Sequence, residues 1–185
     1  MHATLCDYIA EIAQNAIEAG ATQIGLEIQS TLEDISVAVT DNGKGMDAAQ
    51  MARARDPFYS EAGKHDARRV GLGIPLLCQA VEATGGDFEL QSQPGCGTRV
   101  RFRFSRKHLD TPPMGSLATT LLMLMMFDGD YELEVTRRTP AGEYTVSRRE
   151  LAGILGRLEE SENAILARQY LRSQEDAIET AANGG

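Results

Sequence analysis

Apolar positions recur along the first hundred residues with two different periods. Leu5, Ile9, Ile12 and Ala16, with Tyr8 beside them, fall at helical spacing and predict a helix over residues 4–19. Glu11, Asn15 and Glu18 share its polar side at i, i+4 and i+7, and Gly20 ends it in a position where glycine accepts a left-handed backbone. Residues 23–29 alternate instead, with Ile24, Leu26 and Ile28 on one face and Gly25, Glu27 and Gln29 on the other. After a polar turn at 31–34, Ile35, Val37 and Val39 alternate again, which predicts an antiparallel hairpin.

Asp47 caps a helix over 48–55 that Asp56-Pro57 stops, and residues 59–70, polar and without period, read as a mobile loop. Gly71-Leu72-Gly73 opens a helix that ends at Gly85-Gly86. Its core face carries Ile74, Leu77 and Val81, with Leu76 a further candidate. Phe88 and Leu90 mark a third strand; Val100, Phe102 and Phe104 mark a fourth beyond the turn at 93–97. Arg99, Arg101 and Arg103 alternate onto the other face of that fourth strand, either as a solvated row or as a partner-binding stripe. Pro112-Pro113 marks a boundary. An apolar helix over 116–127, a hairpin of 131–138 and 143–147 across Thr139-Pro140-Ala141-Gly142, and one or two polar helices over 149–181 follow. Gly184-Gly185 is expected to fray. The division implied is a main domain at 1–107 and a C-terminal α/β extension at 108–185.

Composition narrows the class. A chain of 185 residues with 42% hydrophobic residues can bury one substantial core. The net charge of −9 argues against a general nucleic-acid surface and against an anionic membrane. Cys6, Cys78 and Cys96 are odd in number and lack zinc-ligand spacing, so they read as reduced thiols of a cytoplasmic protein. No basic-then-apolar leader is seen, and the apolar run at 117–127 is too short to cross a bilayer.

Several chemistries find no support. Neither Gly43-Lys44 nor Gly63-Lys64 sits in a P-loop pattern, Leu76 stands where a dinucleotide fingerprint needs its third glycine, and His2, His65 and His108 are scattered. Three short motifs remain. Asp41-x-Gly43-x-Gly45 at a strand end is either a tight turn or a place where a flat ring approaches backbone while a carboxylate accepts from an exocyclic amine such as adenine's. Gly71-Leu72-Gly73 at a helix start is either a plain turn or a phosphate site of bare N–H groups. Gly97-Thr98 is either turn chemistry or a hydroxyl completing a base pocket. The polar stripe of the first helix is likewise either solvated or functional; asparagine is a poor helix former, so Asn15 invites the second reading.

In their order and spacing, these motifs resemble the GHKL superfamily of DNA gyrase B, the heat-shock chaperone ATPase, histidine kinases and MutL. Glu11-Ile-Ala-Gln-Asn15 with the following Ala-Ile-Glu-Ala-Gly-Ala-Thr resembles the MutL-type N box, and Asp41-Asn-Gly-Lys-Gly45 the G1 box. Asp56-Pro-Phe-Tyr-Ser60 and Gly71-Leu-Gly-Ile-Pro-Leu76 resemble the F and G2 boxes of histidine kinases, and Gly97-Thr98 the final box. The resemblance covers residues 1–105. It implies an α+β fold of the Bergerat type, a two-layer sandwich whose mixed, mostly antiparallel sheet is covered on one face by helices, with ATP between the helix layer and a lid at 59–70.

The resemblance further implies that Asn15 holds Mg²⁺ and that Asp41 accepts the adenine amine, with Gly43, Gly45, Met46 and Thr98 around the base. Gly71, Leu72 and Gly73 would lie at the phosphates, Lys64 or Arg69 would reach the γ-phosphate, and Glu11 would activate the attacking water. The N box is ATPase-like, whereas the short lid is kinase-like. The first helix begins almost at Met1, so no dimerisation helix with a phospho-acceptor histidine is expected before it; no transducer domain is evident after it. The tail from His108 resembles small stand-alone bacterial members often encoded beside iron-hydrogenase subunits, which points to a redox enzyme or a regulatory protein as partner. A homodimer is also compatible. The expected function is slow Mg-ATP hydrolysis with Glu11 as base. The alternatives are a histidine or serine protein kinase acting on a separate partner, and a nucleotide-gated interaction module.

Overall fold

Thr4 begins the first helix, α1 (Leu5–Glu18), through a capping box: its hydroxyl accepts from Asp7 N at 3.2 Å while its own N–H donates to the Asp7 carboxylate. The computed structural model describes residues 4–56 and 73–180. Along them follow β1 (Gln23–Ser30), β2 (Asp34–Asp41), α2 (Ala48–Arg55), α3 (Gly73–Ala83), β3 (Asp87–Gln93), β4 (Gly97–Ser105), α4 (Leu117–Met125), β5 (Glu132–Thr139), β6 (Gly142–Ser147), α5 (Arg148–Leu155) and α6 (Ser161–Thr180). Asp47 caps α2 as its position before Ala48 predicts, accepting from Gln50 N at 2.8 Å.

The strands form one six-stranded sheet in the order β3-β4-β2-β1-β5-β6. β1 and β5 run parallel; every other neighbouring pair is antiparallel. Register follows burial. Leu26 lies opposite Val39 on one side and Val135 on the other, and Val37 lies opposite Phe102, so one face of the sheet is an apolar layer beneath the helices. α1 contributes Leu5, Ile9, Ile12 and Ala16 to that layer, α3 contributes Leu77 and Val81, and α4 contributes Leu121, Leu124 and Met125. The fold is thus the α+β sandwich that the family resemblance implies, built from the strands and helices that the periodicity predicts. Leu76 is a correction. With Leu77 and Val81 facing the sheet, Leu76 is rotated about 100° away on the helix, and it is 50% exposed.

The C-terminal hairpin does not stand apart, because β5 pairs with β1 and extends the same sheet. That register puts Arg137 on the apolar face beside Leu133 and Val135. Its Nη1 donates to Ser30 Oγ at 2.9 Å, and its Nε lies 3.6 Å from Glu175 of α6, which accepts from the Tyr144 hydroxyl at 2.6 Å. Burial, then the Glu175 acceptor, push the Tyr144 phenol up, so it stays a neutral donor. Glu175→Ala should cost about 3–5 kcal/mol, because it strands the Arg137 charge indoors. Denaturant melts should show a Glu175→Leu/Arg137→Met pair recovering most of that loss. No helix among the described residues is long and apolar enough to cross a membrane.

Candidate functional site

Three elements meet at the C-terminal end of β2. α1 lies across the sheet there, β4 pairs with β2 so that Thr98 stands opposite Asp41, and the loop after Asp41 folds back under α1. Asn42 pins that loop: its Oδ1 accepts from Thr22 N and Gln23 N, both at 2.9 Å. Lys44 N donates to Ala19 O at 3.1 Å, which ties the loop to the end of α1. Between these elements opens a cavity of about 500 Å³ lined by Ile12, Asn15, Ala16, Glu18, Ala19, Val39, Asp41, Lys44, Gly45, Met46, Ile74, Thr98 and Val100. Its size and mixed lining are those of a small-ligand site.

The cavity has an apolar slot and a polar mouth. Ile12, Ala16, Val39, Ile74 and Val100 supply flat aliphatic walls, and Asp41 stands among them as the carboxylate. Burial pushes the Asp41 carboxyl up, partly offset by backbone N–H groups of Gly43, at 2.8 Å, and Thr98. Ser92 knits the floor, sharing a hydrogen bond with Thr98 Oγ1 at 2.9 Å and accepting from Met46 N at 2.8 Å. Asn15 and Lys44 stand toward the open side, and neither side chain has a partner among the described residues.

The raised Asp41 pKa fixes a sign. A half-buried carboxylate that holds its proton more tightly when folded is a stability cost once ionised, and the cost disappears where both states are protonated. Asp41→Asn should therefore melt no lower than the parent chain at pH 8, with the difference closing as pH falls through the carboxylate range. Thermal melts across pH check this.

The structure brings Asn15, Asp41, Gly45, Met46 and Thr98 together around this cavity. Gly43 lies buried behind Asp41, where an added Cβ would come within 2.9 Å of Asp41 Oδ1. Glu11 is one turn before Asn15 and packs on Gly73, whose added Cβ would stand 2.0 Å from Glu11 Cγ. Lys64, Arg69, Gly71 and Leu72, together with the expected loop at 59–70, lie outside the described residues. Gly45 has a reason other than room for a ring: at φ +66 its missing Cβ leaves space for Gln93 O, 1.9 Å from where that carbon would sit. Lys44 and Glu18 line the cavity without having been singled out as ligands. Glu18 was visible as the third member of the polar stripe, and Lys44 as the one cation inside the Asp41–Met46 loop.

Among the described residues no group of three or more His, Cys, Asp or Glu side chains could hold a metal ion. A metal here would rest on Asn15 and on a ligand's own oxygens, the pattern magnesium adopts with nucleotide phosphates.

Comparisons with known proteins identify the family. Residues 2–108 match the family described as histidine kinase-, DNA gyrase B- and HSP90-like ATPase. The chain is 31% identical over 93 residues to the alginate biosynthesis sensor protein KinB of Pseudomonas aeruginosa, covering 49% of this chain and 15% of that protein. It is 33% identical over 102 residues to the tetrathionate sensor histidine kinase TtrS of Salmonella typhimurium, covering 52% and 16%. The chain thus spans about a sixth of the length of these relatives. Among solved structures, the N-terminal domain of a DNA repair protein shares the fold at a TM-score of 0.53 and 17% identity, over 84% of this chain and 57% of that one.

Proposed function

The chain belongs to the histidine kinase-, DNA gyrase B- and HSP90-like ATPases, and on that premise we propose that it is a cytoplasmic Mg-ATP-binding protein that hydrolyses ATP slowly and has a regulatory role through a protein partner. The observation that carries this reading is the single cavity that Asn15, Asp41, Lys44 and Thr98 share. Adenine fits the aliphatic slot with its amine on Asp41, beside Gly45, Met46 and Thr98. The phosphates then run toward Asn15, Lys44 and the start of α3, where Gly71, Leu72 and Gly73 would meet them and Lys64 or Arg69 would reach the γ-phosphate. Asn15 would hold Mg²⁺, whose part is to neutralise charge on the phosphates. Glu11, one helical turn from Asn15 and braced by Gly73, is the carboxylate placed to orient and deprotonate water. Residues 1–107 would form this ATPase domain and 108–185 its extension.

Phosphate release from Mg-ATP by the purified chain tests the proposal. Turnover above the protein-free rate supports it; a rate equal to the blank with ATP bound removes hydrolysis from it. Similarity to sensor kinases favours a second reading, transfer of the γ-phosphoryl group to a partner. Labelled ATP added with cell extract should then mark a protein only when the chain is present.

A further inference from the structure

Ser92, Thr98 and Asp41 stand side by side on β3, β4 and β2, with Ser92 opposite Thr98 and Thr98 opposite Asp41. Each lies two residues along its strand from the row Leu90, Val100 and Val39, so the same face of the sheet turns from apolar to polar at the cavity. One hydroxyl serves three neighbours there. Ser92 Oγ accepts from Met46 N at 2.8 Å, donates to Gly97 O at 2.8 Å, and lies 2.9 Å from Thr98 Oγ1.

A hydroxyl has one proton and two lone pairs, and this decides how the three bonds run. Gly97 O can only accept and the Met46 N–H can only donate, so Ser92 gives its proton to the first and a lone pair to the second. Its remaining lone pair takes the proton of Thr98. Reversing the Ser92–Thr98 bond would withdraw the Ser92 proton from Gly97 O and leave one bond fewer. The Thr98 hydroxyl has no other partner among the described residues, so its lone pairs are left for whatever occupies the cavity that it lines.

We propose that Ser92 is a specificity-determining positioning residue: by taking the Thr98 proton it makes Thr98 an acceptor toward the cavity, beside the acceptor Asp41. The inference rests on the reading that adenine occupies this slot. Ser92 does not itself line the cavity, so it acts on the base through Thr98. The N–H groups of Asn42, Gly43, Lys44 and Met46 all donate within the protein, so the loop after Asp41 offers few donors in opposition. Two acceptors suit a purine whose exocyclic amine brings two N–H groups. A 6-oxo purine brings one N–H and one carbonyl, so one acceptor meets lone pairs. A site built to receive N–H groups rejects an analogue lacking one, because its own polar atom is left unpaired.

Calorimetry of ATP and inosine triphosphate into the parent chain and its variants is the test, with the ratio of the two affinities as the readout. The parent should favour ATP by at least about tenfold. Ser92→Ala lets the Thr98 hydroxyl turn and donate to a 6-oxo group, so the ratio should shrink about fivefold. Thr98→Val should shrink it similarly, and Thr98→Ser, which keeps the hydroxyl, should hold it within about twofold. Ser92→Ala/Thr98→Val should match Thr98→Val, because the two side chains act as one unit. If Ser92→Ala weakens both nucleotides equally, the serine only braces the loop, and the inference falls while the nucleotide reading stands. A Thr98→Val chain with the parent ratio overturns it as well. So does further shrinkage on adding Ser92→Ala to Thr98→Val, which would trace the effect to the freed Met46 N–H. No heat with ATP in the parent removes the nucleotide reading, and this inference with it.

Discussion

Asp41→Ala should lower ATP affinity by about a hundredfold, the largest binding effect expected of any single side chain here. Asp41 is the charged group set among the slot's aliphatic walls, and the Gly43 and Thr98 N–H groups leave acceptor capacity facing the cavity. A hydrogen bond to a charged group contributes about 1.5–3 kcal/mol, and an adenine amine left unpaired in an apolar slot adds a desolvation cost. Every 1.4 kcal/mol is about tenfold. Asp41→Asn should lose nearly as much, since half of the new amide is a donor facing a donor. Fluorescent-nucleotide displacement measures both. Affinity within about threefold of the parent in either variant would move the base out of this slot.

Glu11→Gln is expected to separate binding from chemistry. The side chain keeps its length and its seat on Gly73 but loses the ability to take a proton, so turnover should fall by about 10²–10⁴-fold while ATP affinity changes by less than about threefold. In activation terms the loss is roughly 3–5 kcal/mol. Single-turnover phosphate release measures it. Because an added Cβ at residue 73 would collide with Glu11 Cγ at 2.0 Å, Gly73→Ala should reproduce much of that loss without touching the carboxylate. Equal turnover in Glu11→Gln and the parent would take the base role away from Glu11 and leave the binding assignments intact.

The alternating strands were legible because their periodicity has a strong local cause. Ile24, Leu26 and Ile28, like Val100, Phe102 and Phe104, can be buried on one face only in one register. The stripe of Glu11, Asn15 and Glu18 was legible for the same reason: helical spacing alone puts those groups on one side. What the sequence hid depends on contacts far apart in the chain. Nothing local says that β5 joins β1 rather than a separate hairpin, and so nothing says that Arg137 will be buried against Ser30 and Glu175. Gly45 carries a motif yet owes its missing side chain to Gln93 O, a neighbour 48 positions away in numbering. Lys44 could not be told from an ordinary turn lysine until the loop was seen folding under α1.

Isothermal calorimetry of ATP into the 185-residue chain, with and without Mg²⁺ and beside GTP, tests the central claim most directly. One site per chain is predicted, tighter with Mg²⁺ and at least about tenfold weaker for GTP, whose purine offers a carbonyl to Asp41 where adenine offers an amine. No heat with ATP, or equal affinity for the two nucleotides, would contradict it.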